Sequence, residues 1–189
     1  MIVQRSVILL SSVVVLAMGQ QAGGPILEYT EAPAWPRPAT TVAGTAAPWN
    51  FGQVAGVATA ADGSILVLHR GAHPIMLFDS AGRFLRAWGD GLFSDGKVGG
   101  IAPGGRVVGA SGYTAVYGPA GCHACGAHSV RVDPAGNIWV VDAPGHVVYK
   151  MDPQGRVLME LGTKGVAGTS RNTFDLPTDV GFALNGDLY

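Results

Sequence analysis

The chain has 189 residues and a formal net charge of −1, from 12 basic and 13 acidic residues scattered singly along it. Its 29 glycines and 12 prolines, with only 13% charged residues, favour short strands joined by tight turns. No basic run or stripe is present, which excludes an electrostatic surface for nucleic acid, and we predict no nucleic-acid partner.

The first residues have the pattern of an export signal. Arg5 precedes an apolar run over 6–18, which is shorter than the roughly 20 residues that a bilayer-spanning helix needs. Small residues at Ala17, Gly19 and Ala22 offer a cleavage site. We predict a signal peptide over 1–22, with an uncleaved anchor as the alternative, and a secreted or periplasmic protein that is free of the membrane once the signal is removed.

A proline-rich lead-in follows over residues 23–53. It contains Pro33, Pro36, Pro38 and Pro48. Proline has no N–H to donate to a sheet, so this stretch is predicted to be linker or edge material.

Two later segments repeat each other at a fixed offset of 73 residues. The aligned pairs are Gly63 with Gly136, Gly82 with Gly155 and Gly89 with Gly162. A third copy has Gly186 in the place of Gly136, at an offset of 50 residues. Each full copy has four short apolar runs separated by turn residues, a pattern typical of a propeller blade that must stack on its neighbours.

The repeat therefore predicts an all-β propeller over residues 54–189. The predicted strands are 54–59, 64–69, 74–79 and 84–88 in the first blade, 128–132, 137–142, 146–151 and 157–161 in the second, and 178–183 and 187–189 at the start of a third. Residues 90–121 form an insertion, either a loop or an extra hairpin. Because propellers close with about 4–8 blades, we expect the chain to be the N-terminal part of a longer protein.

Antiparallel strands place the start of a blade's first strand beside the end of its second. We therefore expect Arg70, His128, Asp142 and Asp179 on one rim, with His128 facing the central channel. The alternatives are a structural role for His128, a salt bridge for Arg70 and turn capping for the two aspartates. Three other histidines are predicted to be structural: His69, His73 and His146.

The motif Cys122-His123-Ala124-Cys125 is a second local signal. In an exported protein, a short-loop disulfide between Cys122 and Cys125 is the leading interpretation. Metal binding by the thiols with His123 or His128 is the alternative, while a redox role lacks a supporting βαβ pattern.

Three strings carry a family resemblance: GQVAGVATAADGSILVLHRG, AHSVRVDPAGNIWVVD and LPTDVGFALNGDLY. They resemble the peptidyl-α-hydroxyglycine α-amidating lyases, which are propellers of the NHL-repeat class, from Gly52 to Tyr189 outside the insertion. The resemblance implies a six-bladed propeller, of which this chain is an incomplete part with two blades and the start of a third. It also implies a lyase that splits a small peptide-like substrate with a hydroxyglycine terminus into a peptide amide and glyoxylate.

The resemblance further implies roles for individual residues. His128 matches the first of three histidines that hold a catalytic zinc ion, and Arg70 matches a catalytic arginine that contacts substrate. Val57 and Val130 match backbone-carbonyl ligands of a structural calcium ion. With one zinc histidine, this chain alone is expected to be inactive. The alternative function is a non-catalytic NHL-repeat propeller that binds a protein or a ligand on its rim.

Overall fold

The computed structural model describes residues 30–32, 35–37, 51–94, 106–108, 114–116 and 126–189. Its strands all lie in the unit Pro33–Tyr189. The predicted signal peptide, most of the lead-in and both cysteines fall outside the described residues. In the described part of the chain, no helix is long and apolar enough to span a bilayer.

In the described residues, ten strands form three antiparallel sheets. The first sheet has the order β1 (Val54–Thr59), β2 (Ile65–His69), β3 (Ile75–Phe78) and β4 (Phe84–Trp88). A two-stranded sheet of β5 (Arg106–Val108) and β6 (Thr114–Val116) lies within the predicted insertion. The second four-stranded sheet consists of β7 (Ala127–Val132), β8 (Ile138–Asp142), β9 (Val147–Met151) and β10 (Val157–Gly162). The predicted all-β fold, with two propeller blades and the start of a third, is confirmed.

The repeated glycines mark hairpin turns whose backbone favours this residue. Gly63 and Gly136 have φ angles of 81° and 85° in the β1–β2 and β7–β8 turns. Gly82 and Gly155 have φ angles of 80° and 87° in the β3–β4 and β9–β10 turns. Residues other than glycine rarely adopt this backbone conformation, which explains why the two copies align on glycine.

The main core lies between the two blades. Leu66 and Leu68 alternate with Val67 along β2, so they face the second sheet while Val67 faces away. From the second sheet, Val140 and Tyr149 enter the same core. Phe93, in the predicted insertion, is also buried there, with 4% of its surface exposed. The insertion therefore begins inside the folded body and not as a surface loop.

The other face of each blade is also covered. Val67, Met76 and Phe78 pack with Trp35 and Phe51, which precede the first blade. On the far side of the second blade, Trp139, Val141 and Val148 pack with Val180 and Phe182 of the third repeat. The order of packing thus follows the order of the repeats along the chain.

The first strands of the two blades lie side by side. β1 and β7 are edge strands of their sheets and contact each other. A Cβ on Gly56 would lie 3.3 Å from the backbone nitrogen of Val130, so glycine allows this close approach. This contact between first strands is the one expected of neighbouring propeller blades.

The third repeat differs from its prediction as a strand over 178–183. Only a narrow hairpin forms, with one bridge between Phe182 and Leu188 and reciprocal backbone bonds between Gly181 and Tyr189. This register brings Tyr189 opposite Gly181. Residues 178–180 therefore have no ladder partner in the described part of the chain.

An indole covers the outer turn of each blade. Trp88 of β4 lies over Gly155, where a Cβ would come 2.6 Å from its Nε1 atom. Trp35 lies over Gly82, where a Cβ would come 2.6 Å from its Cδ1 atom. The two glycines are equivalent in the repeat, so each outer turn receives a tryptophan from the preceding segment.

Arginines beside these tryptophans repeat the same contact. Arg86 donates from Nη1 to the carbonyl of Gln154 at 2.7 Å, and Arg37 donates from Nε to the carbonyl of Ala81 at 2.8 Å. Ala81 and Gln154 occupy equivalent positions in the two turns. Residues 35–37 therefore contact the β3–β4 turn of the first blade in the same way that β4 contacts the β9–β10 turn of the second blade. This part of the lead-in is packed on the propeller and does not act as a linker.

Candidate functional site

His128 is the extra residue of a β-bulge at the start of β7. Ala127 pairs with Asp142 and Ser129 pairs with Val141, so His128 has no partner in the ladder. The same irregularity occurs in β1, where Ala55 is the extra residue. A bulge changes the direction of a side chain. The repeat thus provides an equivalent position in each blade, which holds histidine in the second blade and alanine in the first.

The bulge also changes which residues of β7 share a face. Ala127 and Val130 are buried, whereas His128 and Arg131 are exposed. In a regular strand, residues three apart point to opposite faces. The additional residue removes this alternation and places His128 and Arg131 on the same side.

A hydrogen bond to the third repeat orients the His128 ring. Its Nδ1 atom lies 2.7 Å from the carbonyl oxygen of Thr178. A carbonyl only accepts, so Nδ1 carries the proton, and in the neutral ring Nε2 keeps its lone pair. Metal-binding histidines commonly donate their second ring N–H to a carbonyl in this way. In a neutral ring held this way, Nε2 is the nitrogen that could bind a metal.

His128 lines an open cavity of about 430 Å³ on the axial side of the blades. Its walls are residues 55–57 of β1, 128–131 of β7 and 178–179 of the third repeat. Val57 and Val130 both contribute to this lining, although Val57 is exposed and Val130 is buried. The innermost segments of three successive repeats thus meet at one concave surface.

Arg70 directly follows β2 of the first blade and reaches the second. Its backbone N–H donates to the carbonyl of Gln53 at 2.8 Å, and its Nε donates to the carbonyl of Ala127 at 3.2 Å. Ala127 is the residue before His128. Arg70 and His128 therefore lie at the same end of the blades, although Arg70 is not part of the cavity wall.

Asp142 is at this end but is not part of the cavity wall. Its Oδ2 accepts the backbone N–H and the hydroxyl of Ser94, both at 2.8 Å, and its Oδ1 accepts the N–H of Gly145 at 3.1 Å. The side chain is fully buried, and burial raises its pKa above the ordinary value despite these hydrogen bonds. Asp142 thus bonds neighbouring loops, which is the alternative stated for it above.

Asp179 faces Arg131 at the cavity. It accepts hydrogen bonds from Arg131 Nε at 3.0 Å, from Arg131 Nη2, and from the Val180 N–H at 2.9 Å. Burial works to raise the pKa of Asp179, but these hydrogen bonds outweigh it and lower the pKa below the ordinary value. The carboxylate is therefore ionised and paired at neutral pH.

The other described histidines hold loops. His69 is buried, and its Nδ1 accepts the N–H groups of Gly52 at 2.9 Å and Gly71 at 3.1 Å. His146 Nδ1 accepts the N–H of Leu176 at 3.1 Å, and His73 pairs with Asp90 at 2.7 Å. Burial lowers the pKa of His69 and of His146. Both rings are thus held neutral as acceptors, which suits a structural role.

Within the part of the chain that the structure describes, no group of three His, Cys, Asp or Glu side chains could hold a metal ion. A metal site that includes His128 would therefore need ligands from outside the described residues. The predicted disulfide or metal motif, Cys122 and Cys125, lies outside them as well.

Sequence reasoning missed Ser94, Thr178 and Arg131. The repeat alignment indicated Thr178. This residue lies 50 positions after His128, at the equivalent position of the third repeat. Nothing comparable marks Ser94 or Arg131. Their contacts join residues 48 apart in the chain, and only the packed fold brings them together.

The chain is similar to curated proteins of one kind. It is 28% identical over 154 residues to a probable peptidyl-α-hydroxyglycine α-amidating lyase of Caenorhabditis elegans, over 74% of this chain and 38% of that protein. It is 32% identical over 134 residues to the peptidylglycine α-amidating monooxygenase of Rattus norvegicus, over 68% of this chain and 13% of that protein. The resemblance stated from the sequence is thus confirmed at modest identity, and the chain spans well under half the length of these relatives.

Among solved structures, a streptogramin B lyase is similar with a TM-score of 0.41 and 15% identity, over 75% of this chain and 34% of that chain. No family model matches the sequence.

Proposed function

We propose that this chain forms one side of the catalytic channel of an exported lyase that cleaves peptidyl-α-hydroxyglycine to a peptide amide and glyoxylate. The observation that carries the proposal is the bulged His128, whose Nδ1 lies 2.7 Å from the Thr178 carbonyl beside an open cavity. The similarity to relatives whose names state this activity supports the choice of substrate.

The reaction requires a proton to leave the substrate hydroxyl and a proton to reach the departing amide nitrogen. The hydroxyl of the substrate loses its proton, the carbon–nitrogen bond breaks as a new carbonyl forms on glyoxylate, and the departing amide nitrogen gains a proton. Negative charge therefore develops on the hydroxyl oxygen, next to the carboxylate of the terminal residue. A cationic group near both oxygens would lower the barrier.

Arg70 would supply that cation. A guanidinium presents N–H groups in a planar fork that matches a carboxylate. Its Nε is fixed on the Ala127 carbonyl, which holds the stem of the fork against the residue before His128. Arg70 would thus orient the substrate carboxylate and steady the developing negative charge.

His128 would hold zinc through Nε2, with further ligands from outside the described residues. Bound zinc would act as a Lewis acid toward the substrate oxygen. The chain's own contribution is the orientation of the ring by the bulge and by the Thr178 carbonyl. The resemblance assigns one of the three zinc histidines, His128, to this chain, so the 189-residue chain alone is proposed to be inactive.

A structural calcium ion is proposed at the same innermost strands. Val57 and Val130 are equivalent in the repeat and line one cavity, where β1 and β7 lie side by side. Backbone carbonyl oxygens are hard ligands of the kind that Ca²⁺ takes. A calcium ion held by both strands would fix the two blades relative to each other.

The test is glyoxylate release from a short peptide ending in α-hydroxyglycine. The protein is expressed from its intact gene in its own host, and the wild type is compared with His128→Ala and with His73→Ala, an exposed histidine away from the cavity. We expect release by the wild type and by His73→Ala and loss of release in His128→Ala. Absence of release by the wild type with zinc supplied would overturn the proposal and favour the non-catalytic propeller that binds a ligand on its rim.

A further inference from the structure

We propose that Arg131 and Asp179 are positioning residues that hold the Thr178 carbonyl against His128 and thereby set the tautomer of its ring. The catalytic meaning of this inference rests on the proposed function. The geometry that carries it is independent of any metal.

Two neighbouring side-chain contacts, made by His128 and Arg131, join β7 to the third repeat. His128 and Arg131 are on the same side of β7 because of the bulge. They bond consecutive residues of the third repeat, His128 to the Thr178 carbonyl and Arg131 to the Asp179 carboxylate. Each contact therefore fixes the backbone that the other one uses.

Asp179 is held at both oxygens. Arg131 donates to Oδ1 from Nε at 3.0 Å and to Oδ2 from Nη2, while the N–H of Val180 donates to Oδ1 at 2.9 Å. A two-point contact between a guanidinium and a carboxylate fixes direction as well as distance. The backbone on either side of Asp179 is thus oriented relative to β7.

No β-ladder in the described residues fixes the position of the Thr178 carbonyl. In the described part of the chain, Thr178 lies outside every strand, and the hairpin of the third repeat begins at Gly181. The carbonyl that faces His128 is therefore placed by the contacts of Asp179 rather than by a β-ladder.

The exposure of the pair argues against a mainly stabilising role. The side chains of Arg131 and Asp179 are 49% and 44% exposed, and ion pairs of that kind add little to folding stability. The role that we assign to the pair is to orient the backbone of residues 178–179 relative to β7. A change that breaks the pair should alter the His128 ring more than it alters stability.

The experiment reads the tautomer of His128 directly. The protein expressed from its intact gene, labelled with ¹⁵N and treated with a chelator, is studied by long-range ¹H–¹⁵N correlation, about two pH units above the ordinary imidazole pKa of roughly 6.5. Wild type is expected to carry the proton on Nδ1. Asp179→Asn and Arg131→Lys should each reduce the ratio of the Nδ1–H to the Nε2–H form by about fivefold, the worth of one ordinary hydrogen bond.

The matched control is Asp79→Asn. Asp79 also accepts a backbone N–H and an arginine Nε, both from Arg83, but it lies in the β3–β4 turn far along the first blade. We expect no change of the His128 ring in this variant. The reversed pair, Arg131→Asp with Asp179→Arg, should restore part of the wild-type ratio.

An unchanged tautomer ratio in both Asp179→Asn and Arg131→Lys would overturn the inference. If Asp179→Asn fails to fold, Arg131→Lys, which keeps the charge and loses the fork, decides the matter alone. Because the measurement contains neither zinc nor substrate, its failure would leave the proposed lyase activity to its own test.

Discussion

The guanidinium of Arg70 crosses from the first blade and donates from Nε to the carbonyl of Ala127 at 3.2 Å. Ala127 precedes His128, the bulged residue of β7. A carbonyl oxygen accepts this hydrogen bond, so the contact fixes the position of the arginine relative to β7. The two residues proposed to act on substrate are thus linked through one backbone carbonyl.

Replacing Arg70 with lysine should reduce catalysis with little effect on folding. Lysine keeps the charge but loses the planar fork and the Nε donor to Ala127. We expect kcat/KM for glyoxylate release to fall by about 10²-fold, as when one donor to a developing oxyanion is removed. The free energy of unfolding should change by less than about 0.5 kcal/mol.

The control for this variant is Arg83→Lys, on the exposed side of the β3–β4 turn. Like Arg70→Lys, it removes a guanidinium, in this case one that pairs with Asp79 within the first blade. Equal kcat/KM in wild type, Arg83→Lys and Arg70→Lys would mean that Arg70 does not contact the reacting groups.

Asp142→Asn should destabilise the fold strongly. The asparagine amide keeps one acceptor oxygen, whereas the Asp142 carboxylate accepts three hydrogen bonds from Ser94 and Gly145 in a buried site. At least one buried N–H is then left facing another donor, which should lower the free energy of unfolding by about 2 kcal/mol. Ser94→Ala removes only the hydroxyl and should cost about 1 kcal/mol. Urea unfolding monitored by tryptophan fluorescence measures both, and a smaller loss for Asp142→Asn than for Ser94→Ala would contradict the account.

Stability should fall as the solution becomes acidic below pH 6.5. Burial lowers the pKa of His69 and of His146 from the ordinary value of 6.5. Below that value the unfolded chain takes up protons that the folded chain does not, so the free energy of unfolding decreases until the folded pKa is reached. The buried Asp142, with its raised pKa, acts in the opposite direction between its folded value and 3.8.

Urea unfolding at a series of pH values from about 8 to 5 tests this dependence. His69→Gln should flatten the decrease, since one of the two buried rings is gone. A slope that His69→Gln leaves unchanged would show that this ring is not held neutral by the fold.

Gly155→Ala should cost more stability than Gly136→Ala. Both glycines have a left-handed backbone, with φ angles of 87° and 85°, so the backbone penalty of alanine is the same. A Cβ at Gly155 would lie 2.6 Å from Trp88 Nε1, whereas a Cβ at Gly136 would meet nothing within 4 Å. The difference between the two variants should therefore be about 1–2 kcal/mol, the cost of displacing the indole. Equal losses would mean that Trp88 does not seal the outer turn.

The strands could be predicted from the sequence because their signals are local. Hairpin glycines and alternating apolar residues placed β1 and β4 with the observed bounds, 54–59 and 84–88. The second blade was predicted to within one residue at each strand end. In the third repeat the same signals predicted a strand over 178–183, but strand formation needs a ladder partner, and 178–180 have none in the described residues.

The site depended on features that the local pattern does not contain. A bulge adds one residue to a strand without changing its composition, so the sequence did not predict that His128 and Arg131 share a face. The interaction of Asp142 with Ser94 joins a strand end to the start of the predicted insertion. The antiparallel order of the strands placed Arg70 near His128 correctly, because that relationship follows from topology alone.

Zinc content is the most direct test of the central claim, that the β7 bulge presents His128 as a metal ligand. The protein is expressed from its intact gene in its own host, purified without chelator and analysed by atomic emission for wild type, His128→Ala and His73→Ala. We expect bound zinc in wild type and His73→Ala, and its loss in His128→Ala with the same circular dichroism spectrum. Equal zinc in all three proteins, or none in the wild type, would contradict the account.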